Sequence, residues 1–196
     1  MKRIVIFASG NGTNAQRIIN HFKGRTDAQV VQVLSNNKDA KVLERANSHK
    51  ISAISFNRTA FYDTAHVSHL LEAIQPDLIV LAGFLWLFPE KIINLFPDQI
   101  INIHPALLPD FGGKGMYGRH VHEAVYAFAK ANKDKKTYTG ITIHKVTPEY
   151  DKGAYLFQEK VEVIQEDTPE SIAQKVHQLE HKPFPIVIAK LLFGTL

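Results

Sequence analysis

The sequence predicts an α/β protein: a mostly parallel, twisted sheet with helices on both faces, Rossmann-like in its first half, with antiparallel strand structure toward the C-terminus. Three observations predict it. Short apolar runs without polar alternation recur through residues 2–104, as expected of strands buried on both faces. Segments with apolar residues at helical spacing separate them, the signature of a parallel sheet. Two longer strand-like stretches then flank a single loop, which suits an antiparallel pair.

Taken in order, the candidate strands of the first part are Lys2–Ala8, Val30–Ser35, Ala53–Phe56, Asp77–Ala82 and Ile100–His104. Ala15, Ile18, Ile19 and Phe22 give a helix after the first strand, and Val42, Leu43 and Ala46 a shorter one after the second. Val67, Leu70, Leu71 and Ile74 give a third. A glycine-rich loop, Phe111–Gly118, precedes a helix near His120–Ala131. Tyr138–Val146 and Ala154–Val163 are the strands around the Thr147–Gly153 loop. Thr168-Pro169 pairs a capping residue with proline in the first turn, so a helix starts there. It carries Ile172, Val176 and Leu179 inward and is broken by Pro183 and Pro185. Without repeat, linker or low-complexity stretch, residues 1–196 read as one domain.

Gly10-Asn11-Gly12-Thr13-Asn14-Ala15 fits a G-x-G-x-x-A pattern between strand and helix. A dinucleotide site also requires an acid at the end of the second strand, where Ser35-Asn36-Asn37 offers none. Two readings stay open: a cradle for a single phosphate at a helix N-terminus, or a tight turn capped by Asn14.

Asn102-Ile103-His104-Pro105-Ala106-Leu107-Leu108-Pro109 runs off the fifth strand, and ligands of open α/β sheets gather beyond such strand ends. Asn102 and His104, two apart, point to one side. An amide donor beside an imidazole can polarise a carbonyl and manage a proton.

This segment resembles the signature of the folate-dependent glycinamide ribonucleotide formyltransferase family. Ser9–Asn14 is similar to that family's phosphate loop, Leu81-Ala82-Gly83-Phe84-Leu85 to its folate-pocket segment, and Tyr150-Asp151-x-Gly153 to its second catalytic loop. The four motifs come in family order across nearly the whole chain. The resemblance implies transfer of a formyl group from 10-formyltetrahydrofolate to the amine of 5′-phosphoribosylglycinamide in de novo purine biosynthesis, without a metal. It implies that Gly12, Thr13 and Asn14 hold the phosphate and Glu180 the ribose side. Arg58, Leu85, Trp86, Leu87 and Phe88 fall on the folate side with Asn102, and Asn102, His104 and Asp151 carry catalysis. Asp151 is expected to raise the His104 pKa. The chain departs from the family pattern at Ala106, where serine is usual, at Ala154, where proline is frequent, and in the Gly112–Tyr117 insertion.

Composition narrows the alternatives. The chain has 45% hydrophobic and 21% charged residues, a formal charge of +4 and no cysteine. That excludes disulfides, cysteine-type zinc sites and thiol nucleophiles, and fits a reducing cytoplasm. No apolar run reaches the roughly 20 residues that span a bilayer, and no run of like charge suggests a nucleic-acid tail. Small-molecule substrates are the expected partners. His177-Gln178-Leu179-Glu180-His181 fits an inverted zinc-protease pattern. Pro183 follows at once and no third ligand appears, so the motif reads as surface helix. A nucleotide sensor would leave Asn102, His104 and Asp151 unused. The nearest chemical rival is a formyltetrahydrofolate deformylase, a family that usually carries an amino-terminal regulatory domain. Methionyl-tRNA formyltransferases add a carboxy-terminal domain, for which no residues follow Leu196 here.

Overall fold

The computed structural model describes residues 1–195, which build one seven-stranded sheet. Strands β1 (Lys2–Phe7), β2 (Ala28–Ser35), β3 (Ser52–Ser55), β4 (Leu78–Leu81) and β5 (Ile100–His104) pair in parallel. The β5–β6 and β6–β7 pairs, with β6 at Thr137–Lys145 and β7 at Tyr155–Val163, are antiparallel. The spatial order is β3-β2-β1-β4-β5-β6-β7. The expected strands are all present, with ends moved by at most a residue or two.

Alternate residues of each central strand feed opposite faces, which is why the runs are continuously apolar. Ile4 and Ile6 join one core cluster, against helices α1 (Thr13–Phe22), α2 (Lys41–Ser48), α5 (Arg119–Ala131), α6 (Pro169–His181) and α7 (Pro183–Leu192). Val5 and Phe7 join the other, against α3 (His66–Ile74), α4 (Glu90–Leu95) and a π-helical turn at Thr59–Asp63. Leu78 and Val80 divide from Ile79 and Leu81 in the same manner.

Three elements differ from expectation. The π-helical turn and α4 were not legible, being five and six residues long. Pro183 and Pro185 end α6 but also start α7, because proline is tolerated in a first turn, where no intrahelical N–H bond is lost. No helix among the described residues is long and apolar enough to cross a membrane.

The strand order reverses between β1 and β4, whose following segments diverge and leave a crevice at their carboxyl ends. Ser9 N–H donates to Gly83 O at 3.0 Å and Ser9 Oγ accepts from Leu85 N–H at 2.9 Å, tying the two loops at that point.

Candidate active site

A cleft of about 960 Å³ lies over the carboxyl ends of β1, β4 and β5. One arm begins at the glycine loop and the other at the aromatic segment after β4, and they meet at the end of β5.

In the first arm Gly12 has a left-handed backbone (φ 75°), and a Cβ there would lie 2.5 Å from Val42 Cβ and 2.9 Å from Val42 Cα. Only glycine lets the loop pass this close to α2. Helix α1 starts at Thr13 with no side-chain cap. Asn14 does not cap the turn; its Nδ2 donates to Glu180 Oε2 at 2.9 Å, and both residues are 8% exposed. His177 Nδ1–H donates to the same Oε2 at 3.0 Å, while its Nε2 lies 3.1 Å from Thr13 Oγ1. The hydrogen bond to Glu180 raises the His177 pKa against an opposing burial effect. The surface-helix reading of the His177–His181 motif is therefore corrected for His177, whose ring lines the cleft. Among the described residues, no group of three or more His, Cys, Asp or Glu side chains is arranged to hold a metal ion.

In the second arm the Arg58 guanidinium lies over the Tyr62 and Trp86 rings, 5.0 and 5.1 Å from their centroids. Tyr62 OH donates to Leu87 O at 2.8 Å. With Leu85 N–H and Leu87 O already bonded within the protein, a ligand would meet the remaining backbone of this segment. Trp86 packs on Phe56 and Phe61, so its ring belongs to the aromatic core rather than to open solvent. Phe88 is buried against Phe7 and Phe61.

At the junction, Asn102 faces His144 directly across the β5–β6 ladder. Paired residues share one face of a sheet, so the two side chains meet: Asn102 Nδ2 donates to His144 Nε2 at 3.2 Å. His144 Nδ1–H donates to Lys145 O at 2.8 Å, which assigns that nitrogen its proton. The β6–β7 register slips between Ile143 and His144, and such bulges re-aim side chains. Asp151 reaches His144 Nε2 with Oδ1 at 3.4 Å and His104 Nδ1 with Oδ2 at 3.6 Å. Its Oδ2 also accepts from Gly113 N–H at 2.8 Å. His104 Nε2–H donates to Phe111 O at 2.8 Å.

His104 is 3% exposed, and burial pulls its pKa below the ordinary value. The Asp151 charge and the Phe111 carbonyl push the other way, as expected of Asp151, but burial outweighs them. For Asp151, burial favours the neutral acid, yet the Gly113 N–H and, when protonated, the His144 and His104 rings hold its pKa below the usual range. The resting pair is a carboxylate beside a neutral imidazole.

The insertion is part of the wall: Gly113 through Gly118 line the cleft, with turn bonds from Met116 N–H to Gly113 O and from Tyr117 N–H to Gly115 O, both 3.1 Å. Ala106 is fully buried and its carbonyl accepts from Thr142 Oγ1 at 2.8 Å, so the residue at this position acts through its backbone. Sequence reasoning missed His144 and the cleft role of His177. The signal for His144 was its place two residues after Thr142 on a strand, but its partner depends on a register that sequence does not reveal.

Comparison with known proteins identifies the family. The formyl transferase family profile matches residues 2–188. The chain is 38% identical to the chloroplastic phosphoribosylglycinamide formyltransferase of Arabidopsis thaliana over 97% of its own length, and spans 65% of that relative. It is 34% identical to the phosphoribosylglycinamide formyltransferase of Bacillus subtilis, covering 98% of this chain and 95% of the relative. The crystal structure of glycinamide ribonucleotide transformylase 1 from Symbiobacterium toebii superposes with a TM-score of 0.85 at 32% identity, over 99% of this chain and 89% of that one.

Proposed function

The chain belongs to the formyl transferase family, and we propose that it transfers a formyl group from 10-formyltetrahydrofolate to the amine of 5′-phosphoribosylglycinamide, a step of purine synthesis. We take residues 1–196 as one formyltransferase domain and, on the cysteine-free composition, place the reaction in the cytoplasm. One observation carries the reading: Asn102, His104, His144 and Asp151 converge where a phosphate-type loop and an aromatic arm meet.

The acceptor's phosphate rests on the Gly12–Asn14 backbone at the start of α1, where N–H groups face an anion. Glu180 receives the ribose hydroxyls. The folate donor lies along Leu85–Phe88 with Arg58 at its rim. The acceptor nitrogen attacks the formyl carbon, and the carbonyl becomes an oxyanion. Asn102 Nδ2 carries two hydrogens; one is held by His144, and the second serves the oxyanion.

The proton released by the nucleophile must reach the departing folate nitrogen as the carbon–nitrogen bond breaks. His104 suits that transit. Taking a proton at Nδ1 places both ring N–H groups on acceptors, Asp151 Oδ2 and Phe111 O, so the cation is stabilised while it exists. Burial returns it to the neutral form afterwards. The products are formylated phosphoribosylglycinamide and tetrahydrofolate.

The test is direct. Purified protein given both substrates should form the formylated product, followed by mass spectrometry. Release of formate at the same rate without the acceptor amine would instead support the hydrolase.

A further inference from the structure

Six buried side-chain atoms lack a hydrogen-bond partner among the described residues: Asn14 Oδ1, His21 Nε2, Asn36 Oδ1, His122 Nδ1, Thr139 Oγ1 and His181 Nε2. Only Asn14 and His122 line the cleft. Asn14 belongs to the phosphate arm and already bonds Glu180 through its other atom. His122 has no such engagement. It is 9% exposed, and its Nδ1 is buried without a hydrogen-bond partner among the described residues.

Its place is defined by the fold. His122 stands in the first turn of α5, directly after the glycine-rich loop, and α5 packs against α6. Helix α6 supplies His177 and Glu180 to one arm, and His104 marks the junction. His122 therefore faces the stretch of cleft between the ribose end and the reacting centre. Burying a polar ring without a partner is destabilising, so an unpaired imidazole facing a cleft points to a ligand group as its missing partner.

The chemistry of that group follows from the imidazole. Burial lowers the His122 pKa, with Glu180 opposing and the His104 and His177 rings adding to the effect. The ring is neutral, with one N–H donor and one lone pair. A phosphate or carboxylate would call for a cation. A carboxamide, with one carbonyl and one N–H, is the matched partner. In the proposed acceptor a carboxamide joins the ribose to the reacting amine, and it must cross this part of the cleft.

We infer that His122 is an acceptor-binding residue that hydrogen-bonds the glycinamide carboxamide and so extends the arm carrying the amine toward Asn102 and His104. This rests on the reaction proposed above.

The test uses the full chain and two ligands, phosphoribosylglycinamide and ribose 5-phosphate, which lacks the carboxamide. Calorimetry on His122→Ala should show roughly tenfold weaker binding of phosphoribosylglycinamide, the scale of one lost hydrogen bond. Binding of ribose 5-phosphate and of a folate analogue should stay within about twofold of wild type. His122→Gln, which restores a donor on a neutral side chain, should recover most of the loss and controls for folding of the alanine variant. In kinetics, KM for the acceptor should rise while KM for the folate donor holds. Equal weakening of both phosphate ligands, or no weakening of either, would overturn the assignment. A wild-type protein that binds ribose 5-phosphate but not phosphoribosylglycinamide would overturn the underlying reaction and this inference with it.

Discussion

Replacing Gly12 by alanine tests how the phosphate loop is held. Two separable terms oppose the added methyl group. The backbone is left-handed there (φ 75°), which costs a residue with a Cβ about 1–2 kcal/mol. The methyl would also lie 2.5 and 2.9 Å from Val42 Cβ and Cα, closer than carbon atoms pack, and forcing α2 aside costs about 1–3 kcal/mol. Together they predict about 2–5 kcal/mol of destabilisation. At about 2–4 °C per kcal/mol for a chain of this size, Tm should fall by roughly 4–20 °C. Thermal unfolding followed by circular dichroism measures this. Calorimetry below the transition should show ribonucleotide binding weakened by about tenfold or more, with folate-analogue binding nearly intact, because in the proposed binding mode the loop's N–H groups face the phosphate and not the folate. Val42→Ala added to Gly12→Ala supplies the decisive control. It removes the γ-methyl groups but keeps the Cβ and Cα that make two of the three close contacts. The double variant should therefore stay well below wild-type stability, since two contacts and the left-handed backbone remain. A Tm within about 1 °C of wild type for Gly12→Ala, or recovery to wild type in the double variant, would refute the argument.

Three further outcomes follow from the site. His104→Ala should lower turnover by about 100-fold or more, the scale of a general acid–base group, with circular dichroism confirming that the variant is folded; near-normal turnover would remove His104 from the chemistry. Because bonding to Glu180 raises the His177 pKa, the cation facing Thr13 and the phosphate loop is present at low pH and lost as pH rises through that raised value. Ribonucleotide affinity measured by calorimetry should fall across that interval, beyond the change that phosphate ionisation gives in His177→Gln. Trp86, the only tryptophan, should report folate-analogue binding by a saturable fluorescence change and respond little to ribonucleotide alone; a flat signal despite calorimetric folate binding would place its ring outside the pocket's influence.

How far the sequence carried depended on how local each feature is. The parallel strands were legible because burial on both faces writes an unbroken apolar run, as in Ile4–Phe7, where every residue is buried. The Asn102–His104 pair was legible because strand geometry alone puts residues two apart on one side. His144 was not, since its meeting with Asn102 depends on pairing across β6 and on the slip beside it. Helix α4 hid for another reason. It is six residues long, too short for a period to show, and it starts after Pro89 with no side-chain cap to mark its beginning. His177 was visible but read as part of a surface helix. Its meeting with Thr13, far away in sequence, depends on the packing of α6 against α1, which no local pattern announces.

The imidazole at the centre of the cleft is held by an arrangement that no single motif announces. Phe111 and Asp151 are both non-glycine residues in the left-handed region, with φ of 54° and 55°. Such a backbone is unfavourable for a bulky residue, so it persists only where surrounding contacts over-determine it. Here the contacts converge on His104. Phe111 turns its carbonyl onto Nε2, Asp151 sets a carboxylate oxygen against Nδ1, and Gly113 N–H fixes that same oxygen. Gly112 lies between, with no room for a side chain: a Cβ would strike the Leu108 side chain and come within 3.3 Å of Asp151 Cβ. A substitution at Gly112 therefore pushes on both partners of the imidazole at once. The start of the glycine-rich loop, Phe111 through Gly113, thus helps to fix where the His104 proton can be held: the Phe111 carbonyl takes Nε2–H, and the Gly113 N–H holds the Asp151 oxygen that faces Nδ1.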